Sequence, residues 1–155
     1  MTTRTERRST PRLGKEPRHR AREAAVQMLY QWEIGRSSLD EVLKTFWMHD
    51  DAQGGTLSDE HRGFAQKLAA GVVDTVGNLD PVIADSAEHW RIERMNVMDR
   101  LILRLAVFEF LHEPETPARV VINEALELAR TFSNDDSVRF INGILDAIRR
   151  RFERQ

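Results

Sequence analysis

VVINEALELARTFSNDDSVRFINGILDAI, residues 120–148, carries two helical repeats with a break between them. In the first half Val121, Ala125, Leu128, Ala129 and Phe132 recur at steps of three and four, which places them on one face of a helix. In the second half Ile141, Ile144, Leu145 and Ile148 do the same, and Phe152 continues the stripe. Asn134-Asp135-Asp136 separates the two and caps the second, because short polar side chains favour cap and turn backbone over helix interior. Two amphipathic helices with a short connection are therefore predicted here.

Working outward, the same pattern repeats. Thr116-Pro117 opens the first of these helices, and before it lies the densest apolar segment, Asn96 to His112, with Leu101, Ile102, Leu105, Phe108 and Leu111. Apolar positions almost all round that helix predict a central, mostly buried element. Asp80-Pro81 reads as a helix start, Asp at the cap and Pro at the first position, followed by Val82, Ile83, Ala87 and Trp90. Ser58 caps a helix with Phe64, Leu68, Val72 and Val76, and Asp50–Gly55 reads as a loop. Ser38 with Glu41 forms a capping box ahead of Leu39, Val42, Leu43, Phe46 and Trp47. The first stripe is Ala21, Ala25, Met28, Leu29 and Trp32, stopped by Gly35. No segment alternates with period two, so the expectation is an all-α domain of about seven helices with short connections.

The chain's ends differ in charge. Residues 1–22 hold eight Arg or Lys against two Glu, a net +6; the whole chain is −2, which leaves −8 for the remainder. A basic arm on an acidic body makes sense if the arm meets a polyanion and the body something else; the arm points to nucleic acid. Residues 1–17 have almost no apolar side chains and read as a disordered basic arm, with residues 18–155 a single helical domain.

Several chemistries find no support. There is no cysteine, which excludes a disulfide framework, thiolate catalysis and cysteine-ligated metal. The five histidines (19, 49, 61, 89 and 112) show no zinc-ligand spacing, Gly54-Gly55 lacks the lysine and strand of a phosphate loop, and no serine sits in a GxSxG elbow. Acidic pairs lie at loops or helix starts, where the helix dipole explains them. No catalytic residue, cofactor or metal is expected. No apolar run spans a bilayer and no signal peptide is evident, so a cytoplasmic protein without a membrane partner is expected. The basic N-terminus can mimic an organelle transit peptide, but its arginines continue into a well-formed helix.

On the first helix His19, Glu23, Gln27 and Tyr30 fall opposite the core stripe with Arg20 beside them, while Arg18 and Arg22 flank it. Arginines can hold phosphates, Tyr30 can stack on a base and Gln27 can reach a base edge; a solvated amphipathic helix with a basic end is the alternative. Phe140 lies off the centre of the last stripe, as a core-boundary aromatic or an exposed stacking platform, with Arg139 further outward. Gly143 costs about 0.5–1 kcal/mol relative to Ala in mid-helix, which close packing of a neighbouring helix would explain.

Together RHRAREAAVQMLYQWEIG (18–35), MDRLILRLAVFEFL (98–111) and residues 120–148 resemble the NusB family of bacterial transcription antitermination factors. The resemblance covers Arg18 to about Arg149. It implies two three-helix subunits packed around a long shared helix, and a non-enzymatic adaptor. Such proteins bind the boxA element of nascent single-stranded RNA together with NusE, a small-subunit ribosomal protein. They act on the RNA polymerase elongation complex indirectly, notably at ribosomal RNA operons. Matched by position, Arg18, His19, Arg20, Arg22, Gln27, Tyr30, Asp136, Arg139 and Phe140 are implied RNA contacts. Glu93 and Asp99 are implied to face NusE, and Asn123-Glu124-Ala125 and Asn142-Gly143 to be structural. Two other readings accompany it. One is a relative of the N-terminal RNA-binding domain of a ribosomal RNA cytosine methyltransferase; the other is a homodimer that buries the arginine arm.

Overall fold

In the computed structural model, residues 2–52, 57–88 and 90–153 are described, the side chains of 2–16 and 49–52 excepted. Among the described residues there are six α-helices and no strand: α1 Thr2–Gly35, α2 Leu39–Ala52, α3 Asp59–Ser86, α4 Val97–His112, α5 Ala118–Phe132 and α6 Asp135–Glu153, with a 3-10 turn at Ile92–Arg94. None of these helices is long and apolar enough to cross a membrane.

Three caps hold as read. Ser38 and Glu41 exchange hydrogen bonds at 3.2 and 3.3 Å, His61 N–H donates to Ser58 Oγ, and Ser137 N–H donates to Asn134 Oδ1 at 2.9 Å. Three boundaries differ. First, α1 is helical from Thr2, well before the Arg18 start that the apolar period gives. That period marks only the part of a helix that packs, and it gives no signal of a helix through residues 2–17, which include Pro11, Gly14 and Pro17. Second, α2 runs through Ala52 into the expected loop, and residues 53–56 lie outside the described residues. Third, Asp80-Pro81 starts no helix: α3 continues through it. An interior proline forgoes a hydrogen bond and costs about 3 kcal/mol. Leu79 and Ile83 on either side are fully buried, which keeps the helix intact, and Asp80 serves another partner. Fusing these two expected helices explains six in place of about seven.

The shared element is α4, which packs on α1, α3, α5 and α6 and is buried continuously from Leu101 to Glu109. It divides the body into an α1–α3 unit and an α4–α6 unit. Partly buried ion pairs tie it to its neighbours. Arg104 forks onto both oxygens of Asp80 at 2.8 and 2.9 Å, and Arg100 reaches Glu33 at 3.1 Å, which ties α4 to α3 and α1.

Candidate nucleic-acid interface

The basic cluster on α1 splits into inward and outward groups. Arg22 turns inward: it is buried, and its Nε and Nη2 donate to the two oxygens of Glu109 at 2.8 Å each, with Glu124 3.5 Å from Nη1. This corrects the expectation that Arg22 meets RNA. Its position beside Ala21 and Ala25 lies within the buried stripe, and α4 supplies a carboxylate there. His19 is also held: Nδ1 lies 2.8 Å from Glu124 and Nε2 lies 3.3 Å from Glu23. These hydrogen bonds, that to Glu124 foremost, push its pKa up to about 10. His19 and Arg22 thus face Glu23, Glu109 and Glu124, and add no net positive field.

Because the folded-state value lies above the ordinary 6.5, protonated His19 stabilises the fold fully below about pH 6.5, and the contribution is lost as pH rises toward about 10. The expected difference in unfolding free energy between the native chain and His19→Gln is of order 1 kcal/mol at pH 6 after solvent screening. Urea titrations across pH should show it shrinking to nothing near pH 10. A difference flat over that range would mean a neutral imidazole.

Arg18 and Arg20 form the outward group. Arg18 is exposed with its guanidinium 4.1 Å above the Phe64 ring, and Arg20 is half-buried. Gln27 and Tyr30 are exposed on the same helix, Tyr30 at 41%.

The second group sits on α6. Asp136 and Arg139 form an exposed ion pair at its first turn. Phe140 packs against the core yet stays partly exposed, and its ring meets Trp90 edge to face, centroids 5.5 Å apart. Trp90 is not on a helical stripe, as the sequence suggests; it follows the end of α3 and is 55% exposed. A lone tryptophan after a misplaced helix start carries no signal of this pairing. The α1 and α6 groups are joined through α3, α4 and α5.

Of the two implied NusE-facing acids, Glu93 is exposed in the 3-10 turn. Asp99 is buried and accepts hydrogen bonds from Ser133 Oγ at 3.3 Å and Ser137 Oγ at 3.0 Å. It ties α4 to the α5–α6 corner, so its place as a partner contact is corrected: the two hydroxyls draw it inward. The amides of Asn123 and Asn142 are exposed in a groove between α5 and α6, not satisfying buried backbone. Gly143 is exposed too, with nothing within 4 Å of where a Cβ would sit, so close packing does not explain it.

The family model described as NusB family matches residues 19–150. The chain belongs to the NusB family. A Koribacter versatilis relative named transcription antitermination protein NusB is 47% identical over 136 residues, covering 88% of this chain and 90% of that one. One from Treponema denticola is 34% identical, covering 86% and 96%. The solved structure of T. maritima NusB is 31% identical with a TM-score of 0.76, covering 88% and 96%. NusB bound with NusE to double-stranded RNA has the same fold at 23% identity, with a TM-score of 0.78, covering 88% and 98%.

Proposed function

We propose that this NusB-family chain is a non-enzymatic, cytoplasmic antitermination adaptor. It binds boxA-type single-stranded RNA together with NusE, and through that complex supports processive transcription of ribosomal RNA operons by RNA polymerase. The observation that carries this is the division of cations on α1. With His19 and Arg22 satisfied inside, Arg18 and Arg20 remain for phosphates beside exposed Gln27 and Tyr30. They stand at the end of a +6 segment on a body of −8. Arg139 supports the reading, since an exposed pair with Asp136 is weak enough to exchange for a phosphate. Exposed Glu93 is the acid in position to meet a basic ribosomal protein. Self-association over the same face is the competing state, and light-scattering mass over a dilution series reads it.

Fluorescence anisotropy of a labelled boxA-like RNA, with and without NusE at several salt concentrations, tests the site. Binding should be salt-sensitive and tighter with NusE. Arg18→Ala with Arg20→Ala should reduce the slope of log K against log salt by about 0.7 for each phosphate that is no longer neutralised. An unchanged slope would sink this assignment.

A further inference from the structure

We propose that Trp90 is a second aromatic RNA contact, forming with Phe140 a pocket for one unstacked base. This rests on the RNA-binding reading above. The two rings meet at 73° and open onto a cavity of about 350 Å³, also lined by Asn96, Asp99, Asn134 and Asp136. That volume is near the small end of ligand pockets, and suits a single planar ring system better than a folded oligonucleotide. More than half of the Trp90 surface is exposed, an unusual position for so large an apolar side chain unless something covers it. Its edge-to-face contact holds the indole in place, so a base can lie on one ring with its edge against the other.

Beside the rings the lining carries both donors and acceptors for the edge of a base. Both asparagines are helix caps: Asn96 Oδ1 accepts from Met98 N–H at 2.8 Å, and Asn134 Oδ1 accepts from Ser137 N–H at 2.9 Å. Both amides keep their N–H donors, and Asn134 Oδ1 keeps a second lone pair. Those donors can meet the ring carbonyls of uracil, cytosine and guanine or a ring nitrogen of adenine, and the carboxylates of Asp99 and Asp136 can accept from an exocyclic amino group, so the pocket takes a base without choosing among them.

The test uses oligouridylate and oligoadenylate of equal length, so that phosphate contacts are matched. Each is bound to the native chain, Trp90→Ala and Trp90→Phe, and circular dichroism melting confirms folding. Trp90→Ala should weaken oligouridylate about tenfold, in the range for removing one stacked base, while Trp90→Phe stays within a few fold. Trp90→Ala should weaken oligoadenylate as well, because stacking on the indole needs only the face of a base. Ultraviolet cross-linking should place a uridine adduct on the peptide containing Trp90. Unchanged affinity for both RNAs in Trp90→Ala overturns the pocket while leaving RNA binding standing. No binding of either RNA by any chain overturns the reading beneath it.

Discussion

Arg22→Ala is expected to destabilise the domain by about 3–5 kcal/mol, the range for removing one partner of a buried ion pair. The substitution leaves Glu109, whose side chain is 2% exposed, on the most buried helix without its two-pronged donor. Glu124 and His19 remain nearby, but Arg22 is the residue that forks onto Glu109. A domain of this kind has about 5–15 kcal/mol in total, so the variant should lose much of its stability. Arg22→Lys should recover only part, because an ammonium cannot reproduce a planar bidentate fork. Arg22→Met combined with Glu109→Leu should come back close to the native value, since an apolar pair of similar volume removes the desolvation cost of both charges. Urea unfolding of the three variants reads all of this, and a single-variant loss under about 1 kcal/mol would mean the pair is screened by water.

The same ion pair changes how the basic motif should be tested. Replacing Arg18, Arg20 and Arg22 together would mix loss of RNA with loss of fold. Arg18 and Arg20 can be changed without stranding a buried carboxylate; Arg18 gives up only its contact with the Phe64 ring, so the pair reads the polyanion contact far more cleanly. The sequence-adjacent arginines differ in role because a helix advances about 100° per residue.

What could be read from the residues was whatever depends on local spacing. The stripes of α5 and α6, the capping box at Ser38 and the central burial of α4 all follow from apolar period and cap chemistry, and the structure has them in place. What could not be read depends on partners far along the chain. Glu109 lies 87 residues from Arg22, and Glu124 lies 105 from His19; helical phase puts Arg22 at the edge of the core stripe, but the carboxylates that hold these two cations are not legible locally. Asp99 presents the same difficulty: at a helix start it looks like a dipole or partner contact, and two serines 34 and 38 residues away decide otherwise. Pro81 misleads in the other direction, because a local break signal is overridden by the burial of Leu79 and Ile83. Trp90 and Phe140 are 50 residues apart in sequence, and only the packing of α6 beside the end of α3 brings the rings together.

Gly71→Ala, on α3, should destabilise the chain by about 1–3 kcal/mol, the usual penalty for overpacking a core. Helix propensity alone predicts the opposite sign: Ala in a helix interior is favoured over Gly by about 0.5–1 kcal/mol. The sign is reversed by Phe108 of α4, whose buried ring occupies the space where a Cβ on Gly71 would stand. The ring cannot simply swing away, because its other neighbours include the His112 ring at 4.8 Å and it is 6% exposed. Relief must come from separating α3 and α4, the contact that joins the two halves of the body. Gly63 on the same helix is the internal control, since nothing lies within 4 Å of its Cβ position; Gly63→Ala should stabilise by about 0.5–1 kcal/mol. A shorter side chain at the other partner should rescue: Phe108→Leu with Gly71→Ala should cost less than the two single changes added together. Denaturant midpoints of the four chains decide it. If Gly71→Ala and Gly63→Ala both stabilise, the close approach of α4 to α3 through this ring is wrong.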